Sequence, residues 1–556
     1  MKKYLLLCLL LTISITAIDI SNQDISKINQ QNSKILLQEE NRLKFLKNKE
    51  QQSALRISKN YYTIDKNTSN NKNCFNINSI QIFDNYVVSK EEFSPILKKY
   101  QNQCLNQKKI QNLINEINNK YIKEGYITTQ AYLKAQDLST KILKIFVQEG
   151  KIENIQINDK NSTETDITFP NHKNKVLNLR DIEMGLEHFN RLNTTSTTLD
   201  LKEGSKNGYS LVNIHKEQDK KIYTTLSINN NGSESTGKES GNIQIYLENL
   251  FNLNSQLSLN LSGTLKQLDE KRTIGRSYSW NIPYGYNLFS IGYREFLYRS
   301  TIIGENSKYV SSGVNSTHFY NLDHTFFRDD KTILKLSTGL EIKQNVNFIA
   351  NQVIKTSSNK LTVGTVSLGG SSSIADTSLY GTLSLKKGLP WFDSFNNSDR
   401  PQKALFTAET LNLSAYTNLN FFNLPFTLSN SLSAQYSNDK LYNTELFSIG
   451  GLYSVRGFKY MAYSGEIGAY LRNDLSYSSR QKLFGQTVLL NPFIGYDLGV
   501  VEYDKDIYKY MVGSAIGLKI QHQFLSADFT LGIPLYAYDP IAEEETTLSF
   551  SLQYQY

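Results

Sequence analysis

Three cysteines and six histidines are the residues of this 556-residue chain best suited to covalent or metal chemistry. The histidines (His172, His188, His215, His318, His324, His522) are scattered, and no two have metal-ligand spacing. Neither Cys74 nor Cys104 has a second Cys or His at ligand distance, so no metal and no cofactor are expected. No GxSxG nucleophile turn and no GxxxxGK[ST] phosphate loop occurs, which points away from an enzyme and from a nucleotide-driven machine. In an oxidising compartment the isolated pair Cys74 and Cys104 reads as one disulfide, worth ~3–4 kcal/mol in the chain-entropy model. Two short glycine-bearing segments also stand out: Val455-Arg456-Gly457-Phe458, and Phe493, Gly495, Asp497 and Gly499 at steps of two.

The compartment follows from the N-terminus. Met1-Lys2-Lys3 is basic, Tyr4 to Ile15 is mostly apolar, and small residues follow at Thr16 and Ala17. That is the pattern of a secretory signal peptide, placed at residues 1–17, and the run is too short to span ~30 Å of hydrocarbon. No later segment has 18 consecutive apolar residues, so the exported chain is either soluble or crosses a membrane as a closed barrel. The net charge of +8 is mild and no basic run occurs, so nucleic acid is not an expected partner.

Residues 18–57 are polar, with a narrow apolar stripe at Ile28, Ile35, Leu36, Leu43 and Leu46 that predicts a polar helix. Residues 58–73 read as a flexible linker. From Cys74 to Gly150 the pattern becomes strand, helix, helix, strand, strand. Phe75 to Ile82 marks the first strand, and Ser89 to Glu92 is a capping box. Ile110, Leu113, Ile114, Ile117 and Tyr121 share one helix face that Gly125 ends, and strands follow at 126–133 and 141–148. Residues 151–217 repeat the order, with a helix stripe at Leu179, Ile182, Leu186, Phe189 and Leu192.

After residue 218 the helical period gives way to alternation, the period of strands. Sixteen strands are predicted at 221–229, 242–250, 256–263, 276–282, 288–294, 315–323, 332–343, 361–369, 377–385, 411–421, 427–437, 466–476, 487–496, 512–520, 525–533 and 547–556. Odd-numbered connections come to about 12–28 residues and even-numbered ones to about 4–10, the parity of an outer-membrane barrel. With 39% hydrophobic residues, 35 Tyr and 27 Phe against 2 Trp, the composition excludes a helical bundle. It suits strands with one lipid face, one wet face and aromatic girdles.

Several ordered segments resemble the two-partner secretion transporters, the TpsB family of hemolysin-activator or filamentous-hemagglutinin transporter type (ShlB/FhaC/HecB), in the BamA-like superfamily. They are Cys74-Phe75 with Cys104-Leu105; Gly125-Tyr126-Ile127-Thr128-Thr129 through Gln136-Asp137-Leu138 to Gly150; Leu177 to Glu183 with Asn190-Arg191-Leu192; and Gly204 to Ser210. The run Ser448 to Phe458 carries the superfamily's VRGF signature, and Phe493 to Gly499 resembles its strand-thirteen motif. Gln130 and Lys134-Ala135 depart from the family's usual Arg and Pro pair.

The resemblance implies an all-β, 16-stranded antiparallel transmembrane barrel over 218–556, with the VRGF-bearing sixth outer loop at about 438–465. Two small periplasmic α+β POTRA domains, 74–150 and 151–217, and an N-terminal plug helix precede it. It implies a place in the outer membrane of a Gram-negative-type bacterium and export of one large, β-helical, adhesin- or hemolysin-like partner. The barrel-assembly machinery would recognise the alternating C-terminal strand ending at Tyr556. A role in outer-membrane protein assembly is the alternative, disfavoured because that machine carries more POTRA domains. Arg456 is implied to fold into the lumen against Asp497. Partner strands would add to a POTRA sheet edge, with walls from Ile110, Leu113 and Ile117, from Tyr126 and Thr128, and from Leu179 and Leu186.

Overall fold

A computed structural model describes residues 61–65 and 74–556, apart from 234, 267–269, 304–307, 398, 460, 484 and 539–544. The expected signal peptide and polar helix lie outside the described residues, as does most of the expected linker.

The first module has strands β1 (Phe75–Ile77) and β2 (Ser79–Phe83), helix α1 (Lys90–Lys98), β3 (Gln103–Leu105), α2 (Gln107–Lys123), β4 (Gln130–Tyr132) and β5 (Ile142–Gln148). Its sheet order is β2-β5-β4, with β2 and β5 parallel, and β1 pairs separately with β3. The single strand expected over 75–82 is thus broken at Asn78 and serves two sheets. The Cys74–Cys104 disulfide joins the start of β1 to β3, so a covalent link holds the small sheet that precedes α2.

The capping box does not form. Ser89 is the N-cap of α1, but its hydroxyl takes no cap bond. The Glu92 carboxylate receives the Ser89 hydroxyl at 3.5 Å on one oxygen and Lys120 Nζ at 2.6 Å on the other, and the Lys120 bond above all holds it below the usual carboxylate range. Helix α2 is capped by Asn106, whose side chain accepts the Lys109 N–H, and buries Leu113, Ile117 and Tyr121 completely. Gly125, at φ +94°, turns the chain away from the helix end.

The second module has β6 (Lys151–Ile157), α3 (Thr163–Thr168), α4 (Leu179–Asn190), β7 (Thr195–Glu203) and β8 (Tyr209–Gln218). Its order, β6-β8-β7 with β6 and β8 parallel, repeats that of the first module. The two share a tight joint. The Leu179 N–H donates to Gly125 O at 2.8 Å, and the Leu177 N–H to Gly150 O at 2.8 Å.

Sixteen strands then close a barrel: β9 (Ile222–Asn229), β10 (Ser240–Glu248), β11 (Gln256–Thr264), β12 (Arg272–Tyr284), β13 (Asn287–Ile303), β14 (Lys308–Arg328), β15 (Thr332–Ile349), β16 (Asn359–Ile374), β17 (Thr377–Gly388), β18 (Thr407–Phe421), β19 (Leu424–Tyr436), β20 (Gly468–Tyr477, continued by Ser479–Leu483), β21 (Gln486–Asp504), β22 (Ile507–His522), β23 (Leu525–Ala537) and β24 (Thr547–Gln555). The seam pairs β24 with β9, Ser551 opposite Asn229, and Tyr556 exchanges two backbone bonds with Thr224 at 2.9 Å. Among the described residues no helix is long and apolar enough to cross a membrane; the sheet is the crossing element.

All sixteen expected strands are present, many of them longer than predicted. The outer connections shrink accordingly: the thirteenth, expected at about 15 residues by the loop parity, is the two-residue turn 505–506. Paired ladder continues past the alternating apolar stretch because hydrogen bonding between strands does not need a lipid-facing side chain.

Candidate functional site: a loop latched inside the barrel

On β21, alternation aims Phe493, Gly495, Asp497, Gly499 and Val501 inward while Ile494, Tyr496 and Leu498 face outward. The steps of two seen in the sequence are therefore one face of one strand. The neighbouring strands complete the patch. Arg472 lies opposite Asp497 and Asp474 opposite Gly495 on β20; Gly513 lies opposite Asp497 and Gly517 opposite Phe493 on β22.

The sixth outer connection, 437–467, folds back against this patch. Its short strands Phe447–Ile449 and Tyr463–Gly465 pair as a hairpin, and Val455-Arg456-Gly457-Phe458 forms the tip. Arg456 is 2% exposed and Asp497 fully buried. Arg456 Nε donates to Asp497 Oδ2 at 2.6 Å, its Nη2 to Asp497 Oδ1 at 2.7 Å and to Asp474 Oδ1 at 2.5 Å, and its backbone N–H to Asp497 Oδ2 at 3.0 Å. Two carboxylates thus face one guanidinium, and Asp497 accepts from both backbone and side chain of the same residue.

Missing side chains make the approach possible. A Cβ on Gly495 would overlap Arg456 Nη2, and one on Gly513 would overlap the Arg456 carbonyl. A Cβ on Gly499 would lie 2.7 Å from Val455 Cγ2. Gly457 adopts φ +96°, and a Cβ there would meet the β23 backbone at Ile533. Val455, Phe458 and Ile449 bury themselves against Tyr470, Val501, Met511 and Ala537.

Two further holds were not anticipated. Arg472 donates to the Leu452 carbonyl at 2.9 Å. Near the start of the connection, Glu445 receives Lys343 Nζ of β15 at 2.7 Å, while Leu441 and Tyr442 pack with Leu361, Val363 and Phe406. A readable signal existed for Asp474 and Arg472: charges two apart on a barrel strand must face the lumen together, since the other face meets lipid. Glu445 lies in a loop and carries no such signal.

The second module is docked on the short turns of the barrel. Arg328, at the end of β14, reaches Glu187 Oε1 at 2.6 Å and Glu183 Oε2 at 3.5 Å on α4. His188 Nε2 lies 2.8 Å from the Gly285 carbonyl, Arg191 donates to Asn254 O at 2.8 Å, and Glu248 accepts the Asn193 and Thr194 N–H groups. Burial and the Asp181 carboxylate beside it push the Tyr286 phenol up. These contacts make the short turns 249–255, 285–286 and 329–331 the periplasmic ones.

The POTRA residues expected as groove walls are mostly not at a surface. Ile110, Leu113 and Ile117 lie in the first core, Leu179 and Leu186 in or beside the second. Tyr126 and Thr128 sit in a turn, not in a strand over 126–133. Tyr126 packs on the first core, and Thr128 is pressed against Gly150 in the joint between modules. Apolar helix stripes in so small a module are consumed by its own core.

Comparison with known proteins agrees with this architecture. The family model "Haemolysin secretion/activation protein ShlB/FhaC/HecB" matches residues 208–520. A ShlB-type POTRA model matches 75–150 and a second POTRA model 151–202. The chain is 31% identical to the outer membrane transporter CdiB of Escherichia coli over 492 residues, covering 85% of this chain and 81% of that protein. It is 30% identical to CdiB of Dickeya dadantii over 472 residues, covering 83% of each, and 28% identical to the hemolysin transporter ShlB of Serratia marcescens over 76% of this chain and 75% of the relative. A solved structure of CdiB from Escherichia coli superposes with a TM-score of 0.87 at 27% identity, covering 97% of this chain and all of that one. A transmembrane barrel with periplasmic POTRA domains and a latched VRGF loop, matched over most of its length, makes this chain a member of the haemolysin secretion/activation (ShlB/FhaC/HecB) family of outer-membrane, two-partner secretion transporters.

Proposed function

We propose that the chain exports one large partner protein, of the β-helical adhesin or hemolysin class, through the barrel lumen, and that the POTRA modules receive it unfolded at the periplasmic mouth. The observation that carries this reading is the sixth connection, folded into the lumen and held by Arg456 on Asp497 and Asp474, above a POTRA module fixed to the same barrel by Arg328. A folded loop in the conduit suits a resting state that has to be rearranged for passage. The route needs no catalytic step and no nucleotide; folding of the partner outside supplies the direction. The relatives named as hemolysin transporters support the cytolysin end of the cargo range. Comparing proteins released by cells with and without this chain tests the reading. Loss of one large exoprotein is expected. A general loss of outer-membrane barrels would instead show an assembly role.

A further inference from the structure

Of the expected flexible linker, residues 61–65 are described, and they are held rather than free. They run extended along α2, and side chains of α2 hold their backbone. Asn119 Oδ1 accepts the Tyr62 N–H at 2.7 Å while its Nδ2 donates to the Tyr62 carbonyl at 2.9 Å. Asn112 does the same for Asp65, at 3.1 and 2.8 Å. Between them Asn115 Nδ2 donates to the Thr63 carbonyl at 2.9 Å, its Oδ1 being occupied by Gln111 Nε2 at 2.9 Å. Lys108 adds an exposed ion pair to Asp65 at 3.3 Å.

The spacing explains the fit. Seven residues of helix, from Asn112 to Asn119, rise about 10.5 Å. Three residues of extended chain, from Tyr62 to Asp65, span about 10 Å. A carboxamide carries a donor and an acceptor side by side, so each end asparagine can pair with both backbone groups of one residue. Asn112 and Asn115 are 6% and 9% exposed, so these amides are built into the module. All five ladder bonds go to main chain, while the side chains of Tyr61, Tyr62 and Ile64 remain exposed at 51%, 41% and 38%. Such a site reads extended conformation and not sequence.

The sheet edge beside it offers less. β4 spans three residues, and its Ala131 N–H already donates to Asn118 Oδ1 at 2.6 Å. A strand adding to β4 would meet a capped edge.

We propose that Asn112, Asn115 and Asn119 form a sequence-independent docking ladder for extended backbone, filled at rest by the chain's own Tyr61–Asp65, and that an extended segment of the secreted partner displaces it. The last step rests on the export reading above; the ladder itself does not. Displacement would report partner arrival to the chain that precedes Tyr61, the polar segment 18–57 included.

The test uses the full-length chain in detergent with a nitroxide on Tyr61→Cys, and a synthetic peptide copying residues 58–68 as probe. The peptide is expected to mobilise the label. A scrambled peptide should act within about threefold of it, and one N-methylated at the positions of Tyr62 and Asp65 should not act. In Asn112→Leu/Asn119→Leu the label should be mobile without peptide, with the Cys74–Cys104 disulfide on a non-reducing gel reporting that the module still folds. Equal action by the N-methylated peptide, failure of the scrambled one, or an immobile label in the double variant would overturn the ladder. If peptides act as described but the purified partner leaves the label unmoved, the ladder stands and its link to export falls.

Discussion

Asp497→Ala is the most informative single change. It leaves the Arg456 guanidinium, 2% exposed, with Asp474 as its remaining carboxylate and strips the Arg456 N–H of its acceptor. Removing one partner of a buried pair costs about 3–5 kcal/mol. Against this stands the apolar seat of Ile449, Val455 and Phe458, each worth about 1.5–3 kcal/mol when buried. The loop should therefore stay docked for most of the time, but its undocked population should rise by about two to three and a half decades. A thiol at Ser454→Cys, a position 5% exposed, reports this through maleimide labelling of intact cells, read against the parent chain. Labelling is expected to accelerate a hundredfold or more in Asp497→Ala, with secretion depressed and heat-modifiable barrel at normal levels. Arg456→Leu/Asp497→Leu should label more slowly than the single variant, because no buried guanidinium that has lost part of its hydrogen bonding remains in the seat. Equal labelling of parent and Asp497→Ala, with normal secretion, would refute the tether.

Other outcomes follow from the same contacts. Gly513→Ala places a methyl on the Arg456 carbonyl, and should displace the loop as strongly as Asp497→Ala while leaving the charges in place, checked with the same label. Lys343→Met leaves Glu445 buried without its cation and should raise single-channel conductance in planar bilayers by loosening the start of the loop. Arg328→Ala leaves Glu183 and Glu187 without the cation of β14, a loss of about 3–5 kcal/mol, seen as faster amide exchange in α4 and at Gly285. Cys104→Ser opens a link between residues 30 apart and should cost the first module ~3–4 kcal/mol, read as faster exchange across α2.

The barrel was legible because its rule is periodic. Lipid outside and water inside force alternation on each strand, so sixteen segments could be counted from side-chain type alone. Their ends could not, because strands such as β13 and β14 continue as paired ladder beyond the alternating stretch. The POTRA helix faces were equally legible as stripes, but a stripe does not say whether it meets a partner or its own sheet; the structure sends Leu113 and Leu186 to the core.

By itself the chain pointed to an exported, closed barrel with two similar α+β modules, since strand and helix periodicity, a basic N-terminus followed by a short apolar stretch, and the missing apolar run are local properties. Family motifs added the expectation that Arg456 faces Asp497. What only tertiary structure decided are contacts between segments far apart in sequence. Asp474 beside Gly495, Lys343 under Glu445, Arg328 on α4 and three asparagines gripping residues 62–65 each depend on register and on how the elements pack. Those are set when strands and helices meet, and no short stretch of sequence encodes them.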